Sequence, residues 1–233
     1  MQKWSLHYVA WCFALCINSS PPVQAQTFTI ALHEDSLALR PCKEKVTQLY
    51  QALDMPIELI ELPGRRSLKY ANDGKTDAEL CRIGQITKRY RNLVKISPAL
   101  MSLDFIALTK SRWPAVTQLS DLDHARIGTS RGMMAAEMVL ENAIIVYESN
   151  VELIMRLLVD DLVDAIILPR VEIEDALTKQ SEPEQFILSP TLYSFELFHF
   201  IHKKHFKLKA KLSHQLLQLQ STSVSSSDFR PIP

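Results

Sequence analysis

Glycine is scarce in this chain: 233 residues contain only five, about 2% where proteins average about 7%. The five are Gly64, Gly74, Gly84, Gly128 and Gly132, and no spacing among them makes G-x-G-x-x-G or G-x-x-x-x-G-K. The backbone cradles that hold dinucleotides and P-loop phosphates therefore lack their usual signature. Excess charge is missing too. Lys plus Arg number 26 and Asp plus Glu number 26, without the basic surplus that nucleic-acid phosphates require. Long apolar runs are absent as well: Leu6 to Ile17 is mostly apolar, interrupted by His7, and falls well short of the roughly 20 residues that span a bilayer. What is present is a globular composition, 47% hydrophobic, in a chain long enough for one large domain or two small lobes.

The first 25 residues have the order of an export signal. Lys3 supplies the positive start, Leu6 to Ile17 the apolar centre, and Val23-Gln24-Ala25 the small side chains a signal peptidase reads. Cleavage after Ala25 is expected to leave a soluble, periplasmic protein. It removes Cys12 and Cys16 and leaves one pair, Cys42 and Cys81. In an oxidising compartment that pair is expected to form a disulfide, the alternative being two separately buried thiols.

Beyond the signal, β-rich runs alternate with segments of helical spacing. Strands are predicted at Thr27 to His33, Pro56 to Leu62, Asp77 to Ile83, Leu93 to Ser97 and Leu103 to Lys110, with helices at Leu39 to Leu53 and about Gly64 to Asn72. Trp113-Pro114 interrupts the series, which then restarts: strands at Ala125 to Thr129, Ala143 to Glu148 and Val163 to Leu168, helices at Met133 to Glu141, Val151 to Asp160 and Arg170 to Leu177. Strands near Gln185 to Ser189 and Glu196 to His202 and a helix from Phe206 to Gln220 complete the chain. The grammar is that of an α/β protein with mostly parallel strands, and its repetition suggests two similar lobes rather than one continuous sheet. The expected division is a signal at 1–25, lobe 1 at 26–108, lobe 2 at 109–190, a return segment and helix at 191–220, and a disordered Ser/Thr-rich tail at 221–233.

Three constellations could carry chemistry. Gly128-Thr129-Ser130-Arg131-Gly132 fits G-x-S-x-G between a strand and a helix, the context of a hydrolase nucleophile, with His199, His202, His205 or His214 as downstream bases and Asp164 or Asp175 as the acid. The competing reading is a helix start whose backbone N–H groups hold an anion without catalysis. His199, His202 and His205 have the spacing of metal ligands, but a separation of three on a strand points side chains to opposite faces, so no metal site is expected. Arg65, Arg66, Arg82 and Arg131 lie near the carboxyl ends of strands, where open α/β sheets bind ligands. Guanidinium forks there suit carboxylates or phosphates.

Together these segments resemble the periplasmic solute-binding proteins of family 3, the partners of amino-acid ABC transporters. The resemblance rests on Asp73-Gly74-Lys75-Thr76-Asp77, on Ile86-Thr87 followed by Asn92 to Pro98, on Leu119 to Gly132, and on Leu157 to Leu168. It implies a two-lobe periplasmic-binding-protein-like fold with hinge strands near Leu103 to Lys110 and Ser189 to Phe195. It further implies a small-molecule solute, no cofactor, and an inner-membrane permease or sensor protein as partner. Two positions depart from it: Tyr90 stands where the resemblance expects the carboxylate-binding arginine, and Pro169 where it expects the aspartate for the ligand's amino group. The expected ligand residues are therefore Arg66 and Arg82 from the first lobe with Thr129, Ser130 and Arg131 from the second, closing on a polar or anionic solute without catalysis. A secreted hydrolase using Ser130 and a sensor for a membrane signalling protein are the alternatives.

Overall fold

A computed structural model describes residues 27–34 and 36–227. The export signal, its cleavage site, Cys12 and Cys16 lie outside the described residues. The first half runs β1 (Phe28–His33), α1 (Arg40–Gln51), β2 (Ile57–Leu62), α2 (Gly64–Asn72), β3 (Ala78–Ile83), β4 (Leu93–Lys95) and β5 (Met101–Lys110). The second holds β6 (Arg126–Ser130), α3 (Met134–Val139), β7 (Ile144–Glu148), α4 (Val151–Val159), β8 (Ala165–Pro169), α5 (Arg170–Thr178) and β9 (Phe186–Leu188). The chain then returns through β10 (Tyr193–His202) to α6 (Lys209–Ser227).

Local chemistry explains the boundaries. Pro41 sits in the first turn of α1, where its missing N–H costs nothing. The helix turns Cys42, Val46, Leu49 and Tyr50 to the core. Gly74, at φ +73°, follows the end of α2 in the left-handed region that glycine tolerates. The side chain of Asn150 accepts from the Leu153 N–H at 2.9 Å and starts α4.

The strands form one ladder in the order β2-β1-β3-β10-β5-β8-β6-β7, with β4 also on β10 and β9 on β5. The repeated grammar therefore does not split the sheet, contrary to the reading of two separate ones. The reason is β5: its first residues pair antiparallel with β10, and from Phe105 onward it pairs with β8 and β9. Around it, β1, β2 and β3 are parallel in one half, and β6, β7 and β8 in the other. Successive residues of β5 and β8 feed opposite faces. Phe105, Ala107, Ala165 and Ile167 join the main core, while Ile106, Leu108, Ile166 and Leu168 join a second core under α4 and α5. Such burial on both faces explains why β8 reads as an unbroken apolar run.

Cys42 and Cys81 are bonded, with Cα atoms 6.4 Å apart, so the disulfide ties α1 to β3. At the other end, α6 continues through residues 221–227, the first part of the segment expected as a tail. Leu212 and Leu216 bury its inner face. The hydroxyls of Ser221 and Thr222 donate to the Gln218 carbonyl at 2.8 and 2.9 Å, a bond that Ser and Thr can make inside a helix. Residues 228–233 lie outside the described ones.

Candidate functional site

The carboxyl ends of β1, β3, β6 and β8 converge between the two halves, the place where open α/β sheets take ligands. They surround a cavity of about 50 Å³. From the first half come His33, Ser36, Leu39, Leu68, Arg82, Ile86 and Leu103; from the second come Gly132 to Ala135 and Pro169, with Phe105 of the shared strand beneath. Among the described residues, His33, Ser36 and Arg82 are the polar side chains of this lining. A larger basin of about 430 Å³ adjoins it, sharing His33, Ser36 and Leu39. Two carboxylates of that basin are held by lysines, Glu61 by Lys43 at 3.3 Å and Asp175 by Lys179 at 2.8 Å.

Arg82 is the centre of this site. Its Nε donates to Glu79 Oε1 at 2.6 Å, and its Nη2 donates to Ser67 Oγ at 2.7 Å and to the Gly64 carbonyl at 3.2 Å. Residues three apart on a regular strand face opposite ways. Here the β3–β10 register shifts between Phe198 and Phe200, so three steps along β3 oppose two along β10. The bulge brings Glu79 and Arg82 to one side. Glu79 is fully buried. Burial pushes its carboxyl up, and Arg82, with the Ser67 hydroxyl, pulls it back down. Its Oε2 has no hydrogen-bond partner, and Arg82 Nη1 makes no hydrogen bond within the described residues. One end of the guanidinium thus remains available in the cavity wall.

His33 flanks Arg82 as a neutral group. Burial, reinforced by the Arg82 charge, depresses its pKa to about 4. Its ring lies so close to α2 that a Cβ on Gly64 would stand 3.2 Å away.

The two halves touch across the cavity. Arg65 Nη2 donates to Glu137 Oε1 at 2.7 Å. Ser36 Oγ donates to Glu172 Oε1 at 2.9 Å, and the Ala38 N–H approaches the same oxygen at 3.5 Å. Glu172 is buried, which raises the pKa of its carboxyl, with Ser36 opposing. Gly132, at φ +86°, lets the β6–α3 turn pass α2: a Cβ there would stand 3.3 Å from the Arg65 nitrogen.

Of the five residues expected to hold a ligand, Arg82 faces the cavity and the other four do not line it. Thr129 is fully buried in β6, donating its hydroxyl to the Ile167 carbonyl at 2.8 Å. Ser130 ends the same strand, and α3 starts only at Met134 because the Arg131-Gly132 turn intervenes. Arg131 is exposed, with the Tyr147 carbonyl 3.5 Å away. Arg66 is exposed, and its neighbour Arg65 makes the contact between halves. Sequence reasoning missed His33 and Ser36. The available signal was their place just beyond the first strand's carboxyl end, but neither residue type there is distinctive.

The hydrolase alternative does not assemble among the described residues. His199 is buried between Tyr50 Oη at 3.0 Å and the Leu80 carbonyl at 2.9 Å. His202 accepts from the Lys204 N–H, and His205 meets Asp77 at 2.7 Å. Their different partners also separate the three histidines once read for metal-ligand spacing.

No family model and no curated protein matches the sequence. Solved structures do. A histidine kinase sensor domain described as similar to periplasmic binding proteins superposes at TM-score 0.74 and 14% identity, covering 87% of this chain and 93% of its own. The substrate-binding protein AbpA of an amino acid ABC transporter from Streptococcus pneumoniae, bound to L-arginine, gives 0.68 at 15% identity, with 84% and 90% covered. The GluR0 ligand-binding core, complexed with L-glutamate, gives 0.71 at 13%, with 88% and 96% covered. The fold is the two-lobe, periplasmic-binding-protein-like one.

Proposed function

We propose that this periplasmic-binding-protein-like chain is a binding protein that captures a small solute between its lobes by hinge closure. One observation carries the reading: a cavity built from strand ends of both halves, across which Arg65–Glu137 and Ser36–Glu172 join the lobes. A ligand touching both halves favours the closed arrangement over the open one. Arg82 supplies the positive charge for an anionic or polar group. Arg66, Thr129, Ser130 and Arg131 support the site through the elements that carry them rather than as cavity-lining side chains. The chain is expected to act after export and cleavage at Ala25, delivering solute to an ABC-type permease. N-terminal sequencing of the exported protein checks the cleavage.

A thermal-shift screen of the mature protein against a broad metabolite panel tests solute capture. At least one compound is expected to stabilise it and to reduce its radius of gyration in solution scattering. A flat screen overturns the proposal. Sensing is the second reading, favoured by the superposition on a kinase sensor domain. A permease gene beside this one supports transport, and a membrane kinase or cyclase supports sensing.

A further inference from the structure

We infer that the pole of the first lobe farthest from the cavity is a membrane-binding surface: Lys75, Arg91, Lys203, Lys207 and Lys209, with Phe206 among them, hold the exported protein on an anionic lipid bilayer. This surface is separate from the solute site and does not depend on which solute is captured.

The fold brings three segments together at this pole. β1 and β3 start here and end at the cavity, so about 20 Å of strand separates the two. The Lys203 N–H donates to the Asn92 carbonyl at 2.7 Å, and the Asn92 side chain donates to the Asn72 carbonyl at 2.9 Å. The His202 N–H donates to the Asp77 carbonyl at 2.8 Å, and Lys204 Nζ to the Gly74 carbonyl at 3.0 Å. Segments 72–77, 91–92 and 202–209 therefore share one surface.

Charge on this surface departs from that of the chain. The three segments carry six Lys and Arg against two Asp, in a protein whose charges balance at 26 and 26. Both acids are occupied: Asp73 by Lys69 at 2.6 Å, and Asp77 by Lys204 and His205, each at 2.7 Å. Lys75, Arg91, Lys203, Lys207 and Lys209 are exposed and have no carboxylate partner among the described residues. Asp54, in the turn before β2, and Glu58, opposite Thr29 of β1, bound the surface on the β2 side.

The arrangement selects a bilayer over a small anion. Its cations are spread over three segments, which suits many headgroups at once. Phe206 is 60% exposed in their midst, and it is the one aromatic among the large apolar side chains exposed in the described residues. An aromatic ring flanked by lysines fits the headgroup boundary, with the ring toward acyl chains and the ammonium groups on phosphates. The chain's entry gives the same direction. The Phe28 ring packs on His205, centroids 4.8 Å apart, so the segment read as an export signal joins the domain at this pole. Each lysine beside an anionic surface strengthens attachment roughly fivefold.

Co-sedimentation of the mature protein with lipid vesicles tests the surface. Vesicles of equal parts phosphatidylglycerol and phosphatidylcholine are expected to bind it about tenfold or more tightly than phosphatidylcholine alone, and added salt to release it. Lys203→Gln/Lys207→Gln is expected to stay folded by circular dichroism and to weaken that binding about tenfold or more. Phe206→Ser should weaken it severalfold. Arg156→Gln/Lys179→Gln, which removes the same charge from the second lobe, should bind like wild type. Equal binding to neutral and anionic vesicles overturns the proposal, and so does a folded Lys203/Lys207 variant that binds like wild type. Equal weakening by the second-lobe variant assigns the effect to net charge and overturns the surface. A protein that ignores both vesicles overturns the lipid partner. If it nevertheless sediments with inner-membrane vesicles of the expressing bacterium until protease strips their exposed proteins, the pole belongs to an acidic protein instead.

Discussion

His199 shows how one residue couples the core to acidity. It is fully buried, and burial depresses its pKa to about 4 from 6.5, the Leu80 and Glu79 backbone opposing. The unfolded chain therefore binds a proton at pH 6.5 that the folded one refuses until about pH 4, and stability falls as pH falls through that window. The full shift corresponds to roughly 3 kcal/mol. Buried Glu79 and Glu172 are shifted upward, which acts in the opposite sense over acid pH, so a difference measurement is needed. Urea denaturation between pH 4 and 6.5 should show a shallower pH dependence for His199→Gln than for wild type. Residue chemistry was partly legible in the sequence. Arg82 stood out because a charge at a strand's carboxyl end is rarely idle, yet its pairing with Glu79 depends on a bulge that the period-two pattern does not announce. Thr129 and Ser130 belong to an interior strand, β6, flanked by β7 and β8, and Gly132 adds a turn before α3 begins, neither of which a local pattern announces.

At the scale of elements, most strands and helices agree with hydrophobic periodicity to within a few residues, and α2 coincides with its expected range. Periodicity is local, so it carried this information. It said nothing of the unbroken ladder, because the partners of β5 lie far along the chain, nor of α6 beyond residue 220, where Ser221 and Thr222 turn their hydroxyls back onto the helix. The disulfide between α1 and β3 is the element-level tie with the largest expected effect. Its cysteines are 39 positions apart, and closing such a loop contributes roughly 4 kcal/mol in the chain-entropy model. Chemical denaturation of Cys42→Ser/Cys81→Ser is expected to show a loss of that order with the fold retained. Reduced wild type should behave similarly.

For the whole molecule, the contacts that join the two halves are individually weak, and the proposed closure rests on them. Arg65 is more than half exposed and Glu137 about a quarter, and a pair of that kind contributes at most about 1 kcal/mol. Arg65→Ala is therefore expected to weaken solute affinity by no more than about fivefold, by lowering the closed population. Glu137→Ala should do the same, and the double variant should add little to either, a pattern that a titration-based double-mutant cycle reads directly. In the proposed closure β5 serves as a hinge: its residues on either side of Phe105 pair with different halves of one hydrogen-bonded ladder. A strand used this way behaves as a leaf spring: the lobes can rock by twisting it, but neither can melt while the other keeps its half of the strand in register. A single cooperative unfolding transition is expected in calorimetry, with solute raising its midpoint as a unit.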